Sequence, residues 1–223
     1  GIARSLVAVR ERDFGLAQSD CESALSLARR AGGGTTEARA HFCLGEAAYN
    51  QGERARSLDA YRQSATMASR AGDRHGEAEA LAALGSVYSD LSEYGPAEAC
   101  FSQAIQAFDA LGDARGAAIA RVGVAKIRER RGEYQAALNG LRESRDVLER
   151  IGDRVWEGVA LSALGSVYMR SGDTAATVEY WERARARFDE AGLSPFAVDQ
   201  LRSLGEAYLA AGDSANALDR FER

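Results

Sequence analysis

The sequence predicts an all-α protein, a solenoid of antiparallel helix pairs. Three observations predict it. Written in rows of 40, the 223 residues align in columns without one insertion. The apolar residues inside each row recur at i, i+3, i+4 and i+7, one face of a helix. The hexamer Ala-Leu-Gly-Ser-Val-Tyr occurs at Ala83–Tyr88 and again at Ala163–Tyr168, 80 residues or two rows later. A fixed period of this length, holding register to the end of the chain, is the signature of stacked repeats.

The rows are a partial first row (1–33), four full rows (34–73, 74–113, 114–153 and 154–193) and a partial last row (194–223), about five and a half repeats in a single domain. One column reads Gly32, Gly72, Gly112, Gly152, Gly192, and a second, in mid-row, reads Gly52, Ser92, Gly132, Gly172, Gly212. Each marks a helix end, where a left-handed residue stops the helix. Asp73, Asp113 and Asp153 follow the first set and cap the next helix. Ser194-Pro195 does so at the last junction, with proline in the first turn, where its missing N–H costs nothing. Between these stops lie two helices per row. Ala78, Leu81, Leu84 and Tyr88 share one face of a first helix; Ala97, Cys100, Phe101, Ala104, Ile105, Phe108 and Leu111 share one face of a second.

Three further columns are internal. Leu44-Gly45, Leu84-Gly85, Val124-Ala125, Leu164-Gly165 and Leu204-Gly205 lie in mid-helix, where glycine costs about 1 kcal/mol relative to alanine. A recurring cost needs a recurring cause. The expectation is that this column faces the small column Ala17, Ser57, Ala97, Ala137, Thr177, Ala217 on the partner helix. Close approach there leaves the bulky column Cys21, Tyr61, Phe101, Leu141, Trp181, Phe221 to fill the space beside it.

Composition narrows the function. The chain is 46% hydrophobic and 27% charged, and no apolar run approaches the roughly 20 residues needed to span a bilayer. No secretory signal precedes the first helix, so the expected compartment is the cytoplasm. A net charge of -5 argues against a nucleic-acid partner, since phosphate binding needs a basic surface. Lys126 is the one lysine among 28 basic residues, which suggests a GC-rich, bacterial coding sequence. Cys21, Cys43 and Cys100 lack CxxC spacing and read as small buried residues in a reducing compartment rather than a disulfide or zinc framework. His41 and His75 have no ligand-spaced neighbours and read as surface or partly packed residues. The glycines fall on the 40-residue grid and not in phosphate-binding motifs. Glu129 and Glu133 sit among Arg128, Arg130 and Arg131, as on a solvated helix face. Serines occur without a nucleophile elbow. The expectation is no enzyme, no metal and no cofactor.

The columns resemble the tetratricopeptide repeat, whose pattern is Leu-Gly-x-x-Tyr on the first helix, then Ala, an aromatic residue and a second Ala on the next. The chain carries it as Leu84-Gly85 and Tyr88 with Ala97, Phe101 and Ala104. It recurs as Leu164-Gly165 and Tyr168 with Thr177, Trp181 and Ala184, and as Leu204-Gly205 and Tyr208 with Ala217 and Phe221. Row 114–153 departs, with Arg128 for the tyrosine and Leu141 for the aromatic residue; row 34–73 has Ala48 and Ser64. The family's usual period is 34. The 40-residue form is similar to repeats in G-protein-regulator scaffolds and in bacterial signal-transduction ATPases and transcription regulators.

The resemblance implies a right-handed solenoid whose first helices line a concave groove. Carried over position by position, the lining is Arg39, Phe42, Cys43, Glu46, Tyr49 and Asn50 in the first full row. It continues as Glu79, Ala82, Ala83, Ser86, Ser89 and Asp90 in the second, and Val122, Gly123, Lys126, Glu129 and Arg130 in the third. The fourth supplies Ser162, Ala163, Ser166, Met169 and Arg170; the fifth Asp199, Arg202, Ser203, Glu206 and Leu209. Phe42 and Tyr49 form an aromatic entrance, small residues deepen the middle, and Lys126, Arg130, Arg170 and Arg202 make one stretch basic. The family's lysine/asparagine carboxylate clamp is absent, because its positions hold Phe42, Glu46, Ala82 and Ser86. The implied function is a sensor or scaffold module of a bacterial regulator that binds a protein or peptide, an acidic one on this lining. Self-association and small-molecule sensing stay open beside it. Residues 1–11 cover part of a helix without an initiator methionine, and the last row stops at Arg223. The expectation is a segment of a longer protein, with any catalytic or DNA-binding part elsewhere.

Overall fold

The computed structural model describes residues 14–210, 212 and 213. Ten helices form there: α1 (Phe14–Ala31), α2 (Gly34–Asn50), α3 (Arg54–Arg70), α4 (Arg74–Asp90), α5 (Tyr94–Leu111), α6 (Ala114–Arg130), α7 (Tyr134–Ile151), α8 (Arg154–Ser171), α9 (Thr174–Glu190) and α10 (Ser194–Ala210). No strand occurs among the described residues. The all-α array of helix pairs expected from the columns is the observed one. The cap at Ser194 and the column positions Ala17, Ala217 and Phe221 lie outside the described residues and side chains.

The chain divides into two compact units, Gly1–Ala120 and Arg121–Arg223. In the first, α1 packs on α2, α2 on α3, α3 on α4 and α4 on α5, and α2 also touches α4. In the second, α7 packs on α8, α8 on α9 and α9 on α10.

The turns repeat one hydrogen-bond motif. After α2, Gly52 N–H donates to the Tyr49 carbonyl (3.0 Å) and Glu53 N–H to the Ala48 carbonyl (2.9 Å). This doubly bonded ending satisfies the last carbonyls of the helix and needs a left-handed residue, here Gly52 at φ 79. The same geometry closes the other described helices, and the residue in question is glycine with one exception, Ser92 at φ 61. At alternate turns an aspartate starts the next helix: Asp73, Asp113 and Asp153 accept from the N–H groups of Gly76 (2.8 Å), Gly116 (2.9 Å) and Trp156 (3.0 Å). Asp173 does the same for Ala176 at 3.0 Å, a cap the columns had not shown.

The mid-helix glycines face the bulky column and not, as expected, the small one. A Cβ on Gly45 would stand 2.6 Å from the Tyr61 ring, one on Gly85 3.0 Å from the Phe101 ring, and one on Gly165 against the Trp181 indole. Each ring occupies the space where the glycine lacks a Cβ. The small column is buried beside this contact; Ser57 Oγ donates to the Gly45 carbonyl at 3.1 Å. Both columns therefore serve the close approach, but the ring is what excludes the Cβ. Row 114–153 supports this: where Leu141 replaces the aromatic residue, Ala125 replaces the glycine.

The cysteine reading is corrected. Cys21 and Cys43 are buried, as expected, but they form a disulfide that joins α1 to α2 across 22 residues. They sit on neighbouring helices of successive half-rows, a proximity that linear spacing does not display. Cys100 carries a free thiol and is half-buried.

Two outcomes test this account. Gly165→Ala should destabilise the protein by about 1–3 kcal/mol, although alanine is the better helix former. In a Trp181→Leu background the same alanine should be neutral or stabilising. Equal penalties in both backgrounds, read from urea melts, would show that the ring is not the cause. Ser92→Gly should raise stability by about 1 kcal/mol, because it relieves a left-handed non-glycine residue; an unchanged melting temperature would count against strain there.

Candidate functional site

The first helices of the rows hold their Leu-Gly face in the core, which turns the residues two positions away toward the other side. In the first unit, α2 presents Arg39, Phe42 and Glu46 on that side, and α4 adds Glu79. The four line a small cavity of about 140 Å³, together with Ala38, Cys43, Ser64, Asp73 and Gly76. Arg39 is exposed, and Phe42 is half-buried with its ring tilted against Tyr61, centroids 5.3 Å apart. Glu46 is largely covered and accepts a hydrogen bond from the buried Tyr61 hydroxyl. Burial pushes the Glu46 carboxyl above its ordinary pKa, and the Tyr61 hydrogen bond pulls the other way. Burial and the neighbouring carboxylate push the Tyr61 phenol far above its usual range.

Tyr49 is not an open aromatic entrance. Its hydroxyl donates to Asp90 Oδ2 at 2.8 Å, and Arg54 lies 4.2 Å over its ring while pairing with Asp90 at 3.2 Å. Burial, then the Asp90 carboxylate, pushes the Tyr49 hydroxyl up to about 12. The cluster ties α2, α3 and α4 together at one end of the face. Asn50 is exposed and bonds the Glu46 carbonyl at 2.8 Å. Ala82 is half-buried and Ser86 exposed, its Oγ bonded to the Ala82 carbonyl at 3.2 Å. The α4 stretch of the face is therefore shallow in side chains and self-satisfied.

In the second unit, Lys126, Arg130, Arg170, Arg202 and Glu206 are exposed, and Ser162 and Ser166 are half-buried. Val122 departs from the expected lining. It is only 1% exposed, so it supports the face from beneath and offers a ligand nothing. Glu129 departs from a solvated carboxylate. Its side chain is 11% exposed and accepts from Arg170 Nε at 2.7 Å. Ser166 Oγ bonds the Ser162 carbonyl, which the Trp181 indole N–H also reaches at 3.0 Å. Met169 and Leu209 keep 48% and 52% of their surface exposed at one register position of α8 and α10.

The histidines divide. His75 is exposed beside Asp113 (3.1 Å) and Glu79 (3.6 Å). His41 is buried on α2, on the side away from Arg39 and Glu46. One charged group escaped sequence reasoning altogether. Glu157 is 1% exposed and accepts from Arg187 Nε at 2.7 Å and from Arg154 at 3.2 Å. Its burial follows from its place on the inner side of α8, and Arg187 on α9 supplies the compensating charge.

The tetratricopeptide repeat model matches residues 36–110 and 156–223, more than half of the chain. The chain belongs to the tetratricopeptide repeat family. No curated protein sequence matches it. Among solved structures, it is similar to a Rap protein complexed with competence and sporulation factor, at TM-score 0.78 and 19% identity over 84% of this chain. The match takes in 53% of that chain, so the present sequence spans about half of its length. The quorum sensor NprR in complex with its cognate peptide NprX matches at TM-score 0.76 and 15% identity, covering 99% of this chain and 64% of that one. The apo form of RapI matches at TM-score 0.79 and 14% identity, covering 99% and 79%. At these identities the likeness shows the fold. No helix among the described residues of this repeat protein is long and apolar enough to cross a membrane.

The raised Glu46 carboxyl has a consequence for stability. Its folded-state pKa lies above the unfolded value, so the stabilising contribution is complete below the unfolded pKa, near 4.5, and is lost as pH rises through the folded value. Glu46→Gln keeps the acceptor for Tyr61 without the charge. It should be more stable than the wild type at neutral pH, with the gap closing on acidification. Parallel stability curves across that window would place Glu46 in water.

Proposed function

We propose that the chain is a protein- or peptide-binding module of a longer regulatory protein, and that the ligand lies on the inward face of the first helices. The observation that carries this reading is the state of that face in the second unit. Lys126, Arg130, Arg170, Arg202, Met169 and Leu209 are exposed there while the opposite side of the same helices is packed. Charged donors beside exposed apolar side chains, over small serines, suit a peptide backbone and its side chains. The complexes of similar fold that hold competence and sporulation factor and NprX support a peptide as the ligand class. The role is recognition rather than catalysis, in a bacterial protein.

The preferred ligand is acidic. Its carboxylates meet Arg130 and Arg170 in charge-assisted hydrogen bonds. Arg170 must exchange Glu129 for the ligand, and exposed pairs contribute only about 0–1 kcal/mol each. These charges therefore set orientation and association rate, while Met169 and Leu209 supply apolar contact. A set of fluorescent peptides graded from acidic to basic tests this by stopped-flow and surface-plasmon kinetics. Arg130→Glu/Arg170→Glu should slow association of the acidic peptides and flatten its salt dependence. Met169→Ala should mainly speed dissociation. Rates unchanged in every variant would move the ligand off this face. Met169 and Leu209 also suit contact with a second copy; mass rising with concentration in light scattering, abolished by Met169→Ala, would favour that reading.

A further inference from the structure

A second cavity lies on the other side of α2. Its volume is about 500 Å³; α1, α2 and α3 line it, and it opens to solvent on the side of the exposed Glu22, Arg29, Arg56 and Asp59. Leu44, Ala48 and His41 come from α2, a set offset by two residues from Arg39, Phe42 and Glu46 and hence on the opposite helix face. The size falls within the range of about 300–1,000 Å³ usual for small-molecule sites.

The register explains why the space is there. Position 48 belongs to the column of Tyr88 and Tyr168. Tyr88 packs against the cluster of Tyr61, Leu84 and Val87, and its hydroxyl accepts from Arg62 at 2.5 Å. Tyr168 stacks on Tyr180, centroids 5.3 Å apart, and its hydroxyl accepts from Arg142. Arg62 and Arg142 share one column, and the residue of that column on α1 is Glu22. Between α1 and α3 both halves of the pair are thus replaced. The phenol is missing above Ala48, and the cation that would hold its hydroxyl has become a carboxylate.

The wall carries two carboxylates and two arginines, and these do not pair with one another in the hydrogen bonds and ion pairs that follow. Glu22 accepts from the Gln18 amide at 2.8 Å and Asp59 from the Gln63 amide at 2.7 Å, both neutral donors. The two arginines of the wall pair with carboxylates that do not line it, Arg29 with Glu37 at 3.0 Å and Arg56 with Glu53 at 2.6 Å. His41 is 4% exposed, and its Nε2 is buried without a hydrogen-bond partner. Burial, then the charge of Arg29, lowers its pKa. A buried ring nitrogen without a partner is costly and marks a polar lining that the fold itself does not use.

We propose that this cavity is a binding site for a small aromatic cation. Its ring takes the volume that Tyr88 and Tyr168 fill in their own rows, and its ammonium group meets Glu22 and Asp59. The site is separate from the peptide-binding face and does not depend on it.

Tyramine is the probe, titrated into the full chain by calorimetry and ligand-observed NMR. The uncharged 4-methylphenol and the anionic 4-hydroxyphenylacetate are its comparators. Tyramine should bind most tightly and the anion least. Glu22→Gln/Asp59→Asn should weaken tyramine about tenfold and leave 4-methylphenol nearly unchanged. Glu22→Arg/Ala48→Tyr rebuilds the pair seen at Arg62 and Tyr88; it should abolish binding and raise the melting temperature. If that variant fails to fold by circular dichroism, the carboxylate variant still decides. No saturable binding of tyramine at millimolar concentration, equal affinity for the anion, or affinity unmoved by the carboxylate variant would each overturn the proposal.

Discussion

The helix pairs of rows 34–73, 74–113 and 154–193 each depend on one contact, an aromatic ring packed where a glycine lacks its Cβ. The magnitudes decide why this survives in mid-helix. Glycine costs about 1 kcal/mol there. Burying an aromatic side chain returns about 1.5–3 kcal/mol, and the closer helix spacing adds dispersion along both helices. Tyr61, Phe101 and Trp181 are 1%, 3% and 5% exposed, so the return is close to complete. The ring then fixes its surroundings. Trp181 also packs with Leu204 and Ala207, carrying the contact of one pair into the next helix. The interior polar bonds follow the same spacing: Ser57 reaches the Gly45 carbonyl, and the Trp181 indole reaches the Ser162 carbonyl.

The array was legible because its period is unbroken. Columns alone located both kinds of turn, and the aspartates followed from their place after the glycines. What the columns could not show was side-chain direction. Glycine, small and bulky columns were all visible, yet only the rotamer shows that Tyr61, and not Ser57, covers Gly45. The disulfide was hidden for a related reason: Cys21 and Cys43 belong to different columns, and neither recurs. Val122 shows the limit of carrying positions over by register. Its column holds Phe42, Ala82, Val122, Ser162 and Arg202, a boundary between core and surface. Arginine at that boundary reaches water, and valine turns into the core.

Some of what was missed lay in the period itself. Tyr49 bonds Asp90, and Glu129 bonds Arg170, each 41 residues apart. Arg62 bonds Tyr88, and Arg142 bonds Tyr168, each 26 apart. Bonds between rows thus recur at fixed offsets just as packing does. Complementary residue types at those offsets would have revealed them. Glu157 with Arg187, 30 apart, has no such counterpart and could not be read that way.

The 41-residue bonds also limit what the inward face can recognise. They tie the last turn of one first helix to the last turn of the next, at Tyr49 and Asp90 in one unit and at Glu129 and Arg170 in the other. A ligand at these positions gains no new charge; it exchanges one partner for another, and the exchange is nearly neutral in water. The apolar side chains are not spent in this way. Met169 lies one residue before Arg170, half exposed. On the proposed reading, discrimination by such a face comes from where carboxylates can replace Glu129, and affinity from what covers Met169. Contacts of the second kind grow with ligand length, which is why an extended peptide suits this face better than a single carboxylate.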